Sequence, residues 1–304
     1  MNYKSISNYE GDMSASDLCD AIVEARTCDL PEIRTAMHLL IEDLQLALLN
    51  AENLYYLVSD VTDAPHINEH FAVYLFDDRY YAEKFVEKNK VLKLNIHDAA
   101  PEDYEWLFSH FYNCGAECVD YCNDNSNVTF DLEHYFLSDN YDKTVAPGRL
   151  LSRFTNLCMQ EIRNDDKQYE RKPEIVTLLK KNIISESLTT NIFIPAFDDG
   201  NLASNVSLDK VNVRIATMST SNKELFFPVY TARDEFKFTA LDGIKLVETT
   251  LLSYIEFVEK IAKNNEHVFG LAINPESVNF AMNRGILDIV LQNKNAVTNK
   301  NKAN

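Results

Sequence analysis

The sequence predicts an α+β fold: two similar domains of mixed β-sheet flanked by helices, with an N-terminal helical segment and a helical connector. Three observations lead to this prediction. The chain has 304 residues, about twice the usual size of one domain. Short apolar runs rich in aromatic and β-branched residues alternate with amphipathic stretches of helical period. Residues 71–136 also repeat the pattern of residues 225–290.

The repeat consists of matched residues at a nearly constant distance along the chain. Two early pairs are 154 residues apart: Leu75 with Val229 and Arg79 with Arg233. Four later pairs are 150 residues apart: Tyr104 with Tyr254, Leu107 with Phe257, Val128 with Val278 and Phe130 with Phe280. We attribute the change to a short extra piece near residues 99–102 of the first copy. A period this long indicates a duplicated domain and not a solenoid.

Composition and periodicity set the expected domain boundaries. We predict a helical lead-in over residues 1–30, a divergent first domain over 31–136, a helical connector over 137–172, a second domain over 173–292 and a disordered polar tail over 293–304.

The first half begins with helices. Ser14 or Ser16 is suited to cap a helix that carries Leu18 and Ile22 on one face, and Pro31 suits the first turn of a second helix. The elements predicted next are strands at 55–59, 71–76, 91–96, 118–122 and 128–132, and helices at 80–88 and 101–113.

The second half repeats this order after the connector, in which residues 150–162 have helical amphipathic spacing. A helix begins near Pro173, as one does at Pro31. The elements predicted next are strands at 191–197, 213–218, 224–230 and 269–273, and a helix at 251–263. The strands at 213–218 and 224–230 are expected to form a hairpin around Ser221-Asn222.

Charge restricts the classes of partner. Asp and Glu number 47 against 29 Lys and Arg, a net charge of −18, which disfavours nucleic acid and anionic lipid. A partner is therefore expected to be neutral or basic. No signal peptide or apolar run long enough to cross a bilayer is evident, so the expected location is the cytoplasm. The six cysteines are expected as thiols there: Cys19, Cys28, Cys114, Cys118, Cys122 and Cys158.

Two strings in the second copy, PVYTARDEF at 228–236 and GLAINPESVNF at 270–280, resemble the amino-terminal domain of the bacterial SseB family, the enhanced serine sensitivity proteins. The resemblance covers about a third of the chain, residues 192–291. The first copy is more divergent, with Asp124-Asn125 where the second has Asn274-Pro275. The resemblance implies a fold and a tandem pair of such domains. It implies no catalytic residues.

The strongest candidate for a metal site is the series His110, Cys114, Cys118 and Cys122, spaced by four residues. On one continuous helix, an imidazole and three thiolates at this spacing would form a stripe able to bind zinc. The repeat instead places His110 on a helix, Cys114 in a turn and the last two cysteines on a strand. We therefore expect core cysteines and no metal or other cofactor.

Other candidates have similarly simple interpretations. The acidic pairs at 77–78, 165–166 and 198–199 lack the ligand spacing of a calcium loop and are expected to be solvated loop charges. The chain contains no G-x-S-x-G, Walker A, G-x-G-x-x-G or H-E-x-x-H motif. Nine tyrosines in the first copy are either core residues or an aromatic recognition surface: Tyr55, Tyr56, Tyr74, Tyr80, Tyr81, Tyr104, Tyr112, Tyr121 and Tyr135.

These observations favour a non-catalytic bacterial cytosolic protein that binds or regulates another protein through an acidic surface. Two alternatives remain open. One is an acidic chaperone or immunity-type partner of a basic protein, whose binding would weaken as salt rises. The other is a metal- or thiol-dependent enzyme that uses His110 and the cysteine series.

Overall fold

The computed structural model describes residues 13–27, 31–138, 140–197, 214–237 and 243–303. The fold is α+β, as the sequence predicts, with helices and mixed β-sheets. The chain forms two compact units. Unit 1 comprises the described parts of residues 1–60, 65–112 and 116–141, and unit 2 comprises those of 61–64, 113–115 and 142–304.

Unit 1 begins with two helices that pack against each other and continues into a mixed sheet. Its helices are α1 (Ala15–Arg26), α2 (Pro31–Leu49), α3 (Arg79–Lys88), α4 (Tyr104–Asn113) and α5 (Leu132–Tyr135). Its strands are β1 (Leu54–Ser59), β3 (Ala72–Phe76), β4 (Leu94–Ala99), β5 (Cys118–Cys122) and β6 (Asn127–Asp131), and the two-residue strand β2 (Ala64–Pro65) lies at the boundary between the residues of the two units. Ser14 caps α1 by accepting a hydrogen bond from the backbone N–H of Asp17 at 3.2 Å, as its position in the sequence predicts.

The sheet of unit 1 has the strand order β4-β1-β3-β5-β6, with β2 beside β1. Strand β4 runs in the same direction as β3, and α4 returns the chain to the end of the sheet where β4 begins, so β5 is parallel to β3. The other pairs on this path are antiparallel. Helix α3 covers part of one face, where Ala82 packs with Leu57, Phe76 and Leu94.

Unit 2 repeats this arrangement. Its helices are α6 (Arg149–Arg163), α7 (Pro173–Glu186), α8 (Leu251–Ala262) and α9 (Arg284–Ala303). Its strands are β7 (Asn191–Phe197), β8 (Arg214–Ile215), β9 (Met218–Ser219), β10 (Leu225–Val229), β11 (Ile244–Thr250), β12 (Val268–Ile273) and β13 (Phe280–Asn283). Strands β10 and β12 are parallel, and a backbone bridge between Phe193 and Tyr230 links β7 to the end of β10.

The two units therefore share the path of strands β4-β1-β3-β5-β6 and β11-β7-β10-β12-β13. The helices extend this correspondence: α6 packs against α7 in unit 2, as α1 packs against α2 in unit 1. The segment predicted as a connector over 137–172 thus contains a structural helix of unit 2, and the predicted lead-in belongs to unit 1. Amphipathic spacing showed that these helices need a partner surface but not which one.

Strand register corrects the predicted alignment of the two copies. In unit 1, Leu75 of β3 lies opposite Tyr121 of β5, which lies opposite Val128 of β6. In unit 2, Val229 of β10 lies opposite Ile273 of β12, which lies opposite Phe280 of β13. Phe280 therefore corresponds to Val128, and the predicted match of Phe130 with Phe280 is wrong by two residues. A shift of two keeps every side chain on the same face of its strand, so the apolar pattern alone could not reveal it.

The spacing between the corresponding helices α4 and α8 also differs from the predicted 150 residues. Helix α4 has a series of buried residues at Tyr104, Leu107, Phe108 and Phe111, and buried residues with the same spacing in α8 are Leu251, Tyr254, Ile255 and Val258. The two series are 147 residues apart, so the predicted match of Tyr104 with Tyr254 is not supported by burial.

Three further predictions differ from the structure. The strand predicted at 91–96 begins at Leu94, after a short 3-10 turn and a left-handed residue, Lys93. Where one strand is predicted at 213–218, the described residues form the short strands β8 and β9, of which β8 pairs with β7 and β9 with β10. Helix α9 continues to Ala303, where the polar composition after residue 293 predicts disorder. None of the helices in the described ranges is long and apolar enough to span a bilayer.

Candidate functional site

The four residues of the predicted metal candidate lie on two elements and the turn between them. His110 is on α4, Cys114 follows that helix, and Cys118 and Cys122 are the two ends of β5. This is the placement that the repeat predicts. Four residues along a strand span roughly 13 Å, so the sulfur atoms of Cys118 and Cys122 lie too far apart to bind one ion.

The cysteines have the surroundings of core residues. The five cysteines in the described ranges form no disulfide with one another, and Cys28 lies outside those ranges. Burial, followed by the charge of Glu235, raises the pKa of Cys114 well above its usual value, and its thiol donates to the Glu235 carboxylate at 3.6 Å. Burial also raises the pKa of Cys122. A reactive cysteine needs a lowered pKa and access to solvent, and these two thiols have neither.

Two of the three acidic pairs lie in described residues and have local structural roles. Asp78 caps α3 by accepting a hydrogen bond from the backbone N–H of Tyr80 at 2.8 Å. Asp166 accepts one from the backbone N–H of Gln168 at 2.8 Å. The pair at 198–199 lies outside the described residues. Such Asx turns are common roles for aspartate and need no metal ion.

The two strings that resemble the SseB family meet at the carboxyl ends of β10 and β12. Hydrogen bonds join them, among them Tyr230 Oη to Glu276 Oε1 at 2.8 Å, Thr231 N to Asn274 Oδ1 at 3.0 Å, and Ser277 Oγ to Glu235 Oε2 at 2.6 Å. In α/β proteins this end of a parallel pair often holds a ligand. Here the side chains bond to one another, so the network fixes the two loops.

Two carboxyl groups of this network, those of Glu235 and Glu276, are shielded from solvent to different degrees. Glu235 is 2% exposed and its two carboxylate oxygens accept bonds from Cys114 and Ser277. Burial raises the pKa of Glu276, and the hydrogen bond from Tyr230 opposes that rise. Glu276 Oε1 accepts the bond from Tyr230, whereas Glu276 Oε2 is buried and has no hydrogen-bond partner among the described residues, which is consistent with a raised pKa of this carboxyl group.

Burial distinguishes between the two interpretations that the sequence left open for the nine tyrosines of the first copy, core residues or an aromatic recognition surface. Of the nine tyrosines, Tyr80 is exposed at 53%, and the other eight are buried or half-buried. Their rings contribute to the interior, as where Tyr56 meets Phe111 edge to face at 5.3 Å between centroids. Most of these tyrosines therefore support the core interpretation.

A different aromatic residue is exposed in unit 1. Trp106, the only tryptophan of the chain, lies on α4 and is 52% exposed. Its ring is parallel to that of His110, one helical turn later, with 4.9 Å between the centroids and 7° between the planes. Tryptophan is usually well buried, so an exposed indole held in one orientation is typical of an interaction surface.

Carboxylates surround this indole in sequence. Glu102, Asp103 and Glu105 are all exposed. Between residues 94 and 142 the chain has 49 residues with eleven Asp or Glu and no Lys or Arg. We call the residues Glu102, Asp103, Glu105, Trp106 and His110 the Trp106 surface.

Sequence reasoning named His110 as a metal candidate but missed the other residues of the Trp106 surface. Two signals were available: the position of the single tryptophan, and the long segment without a basic residue. Its exposure was not visible, because α4 has apolar residues on most sides and the sequence does not show which side faces solvent.

Comparison with protein-family models, curated proteins and solved structures found no match. The resemblance to the SseB family remains a prediction that depends on the two strings of the second copy.

Proposed function

We propose that this chain is a non-catalytic, SseB-like bacterial protein that acts in the cytosol by binding and regulating another protein. The partner is basic and meets an acidic surface of unit 1. The observation that carries this proposal is the Trp106 surface, where an exposed, oriented indole lies among exposed carboxylates.

The energetics of protein interfaces support this choice. Tryptophan is among the residues that contribute most to binding when a partner excludes water from it. The surrounding carboxylates would be arranged around it as a polar rim, which contributes association rate and specificity more than affinity. The net charge of −18 would add long-range attraction for a basic partner at low ionic strength.

The chemistry-bearing side chains described above support a binding role over a catalytic one. The thiols of Cys114 and Cys122 are buried and held protonated, and the carboxylate of Glu235 is bonded within the loop network. In contrast, the Trp106 surface combines a half-exposed indole with three exposed carboxylates, which are groups that a macromolecule can contact.

Affinity capture from cytosolic extract tests the proposal with three full-length baits. One is the wild type. The second removes charge at the surface by Glu102→Gln, Asp103→Asn and Glu105→Gln. The third removes three exposed charges in unit 2 by Glu170→Gln, Glu174→Gln and Glu266→Gln, so the two variants have equal net charge.

We expect the wild type and the unit 2 variant to retain the same basic proteins at low salt and to release them by about 0.5 M salt. The Trp106-surface variant should lose them. Capture that is equal for all three baits, capture of acidic proteins only, or recovery of no protein would contradict the proposal.

A further inference from the structure

The geometry around Trp106 restricts what can bind there. Because side chains on a helix lean toward its N-terminus, His110 lies over Trp106 from the following turn and occupies one face of the indole. The opposite face is directed toward the preceding turn, a short 3-10 turn that carries Glu102 four residues and Asp103 three residues before Trp106. The open face of the indole and the two carboxylates are therefore on one side of α4.

A group that satisfies both features is a cation with a flat apolar face. The π-face of an indole attracts cations more strongly than that of any other side chain, and nearby carboxylates add charge attraction. Helix α4 carries no Lys or Arg of its own to occupy this position. In contrast, the exposed ring of Tyr80 on α3 already has a cation of its own helix beside it, because the ammonium of Lys84 lies 4.6 Å from the ring centroid.

Between the two cationic side chains, arginine fits better than lysine. A guanidinium is planar, stacks on an aromatic face and still presents N–H groups in its plane to carboxylates, whereas an ammonium is compact and strongly hydrated. Resting on the proposed function, we propose that the Trp106 surface binds an arginine side chain of the basic partner. The guanidinium stacks on the open face of the indole and pairs with Glu102 and Asp103.

The single tryptophan provides a site-specific readout. In ¹⁵N-labelled full-length protein the indole N–H of Trp106 is the one tryptophan side-chain resonance. The probes are four nonapeptides of Gly and Ser that carry three arginines, three lysines, three citrullines or three glutamates. Citrulline keeps the shape of arginine without its charge, and lysine keeps the charge without the planar group.

We expect the arginine peptide to shift the indole resonance in a saturable manner that weakens with salt. The lysine peptide should bind about three- to fivefold more weakly, and the other two should cause no shift. Equal binding of the arginine and lysine peptides would overturn the assignment of a stacked guanidinium. Absence of any shift with the arginine peptide would overturn it as well.

Variants test the same point by peptide fluorescence anisotropy. Trp106→Ala should reduce affinity for the arginine peptide by at least about threefold, and Glu102→Gln with Asp103→Asn by a similar factor. Leu39→Ala is the matched control, because Leu39 is an exposed apolar residue on α2 of the same unit at 57% exposure. An equal loss in Leu39→Ala and Trp106→Ala would contradict the proposal.

The two proposals can fail separately. If capture of basic proteins depends on Glu102, Asp103 and Glu105 but is unchanged by Trp106→Ala, the proposed function stands and the arginine site is wrong. If the arginine peptide binds as expected but no basic protein is captured from the extract, the arginine site stands and the proposed function is wrong.

Discussion

Asn274 bonds twice to Thr231, and these bonds join the ends of the two parallel strands of unit 2. Its Oδ1 accepts from the backbone N–H of Thr231 at 3.0 Å, and its Nδ2 donates to Thr231 Oγ1 at 2.8 Å. Asn274 is fully buried and has a left-handed backbone, with φ of 45°. Asparagine is one of the few residues other than glycine that adopt this conformation at small cost.

The first prediction follows from this pair. Asn274→Ala should lower the free energy of unfolding by about 3 kcal/mol, because it leaves the buried N–H of Thr231 unpaired and places alanine in a left-handed conformation. Urea unfolding followed by circular dichroism measures the loss. Asn293→Ala on the exposed side of α9 is the control and should change stability by less than about 0.5 kcal/mol. Equal effects of the two substitutions would show that the loop network does not stabilise unit 2.

A second prediction concerns Gly270 in β12. A Cβ at this position would lie 2.0 Å from the backbone oxygen of Met282 in the neighbouring strand, so Gly270→Ala must push β12 and β13 apart. We expect destabilisation of more than about 3 kcal/mol or loss of soluble protein. Gly285→Ala is the control, since its added Cβ meets only the Asn283 side chain at 3.4 Å. A Gly270→Ala protein as stable as wild type would refute the close approach of the strands.

The third prediction is a pH dependence in unit 1. His66 is buried, its ring is parallel to that of Tyr74 at 6.1 Å, and burial lowers its pKa to about 4. A histidine whose folded pKa lies below its unfolded value of about 6.5 contributes its full stability above pH 6.5. That contribution is lost as pH falls toward 4.

We therefore expect the wild type to lose about 2 kcal/mol more than His66→Gln between pH 7 and pH 5. Urea unfolding followed by the fluorescence of Trp106, which lies in the same unit, measures the difference. His134→Gln, at an exposed position, should follow the wild-type profile. Parallel profiles for wild type and His66→Gln would mean that His66 is not held neutral by burial.

A fourth prediction ranks the thiols. Cys118 is half-buried, whereas Cys122 on the same strand is buried and has a raised pKa. Iodoacetamide at pH 8 should therefore modify Cys118 at least about tenfold faster than Cys122 in the native protein. Peptide mass spectrometry reads each site, and in 8 M urea the two rates should become similar. Faster modification of Cys122 would contradict its placement in the core.

Local patterns were sufficient for several elements. The spacing of Leu18 and Ile22 predicted α1, Pro31 marked the start of α2, and the turn former at Asn123 separated β5 from β6. These signals act over a few residues and depend on backbone propensity and side-chain periodicity. Register was predicted less well, because a shift of two residues between β5 and β6 preserves the alternation of buried and exposed positions.

Local sequence patterns were also insufficient to predict the Trp106 surface. Composition indicated an acidic protein with a basic or neutral partner, but nothing in the local pattern distinguished Trp106 from the tyrosines that lie in the core. Its exposure depends on which elements of unit 1 pack against α4, and those elements are distant in sequence.

From residue order alone came the α+β class and the order of most helices and strands, because these follow from interactions between near neighbours along the chain. Folding in three dimensions settled the role of α6 as part of unit 2, the register of the strands and the exposure of Trp106. Each of these depends on contacts between segments far apart in sequence, whose free energy no local pattern contains.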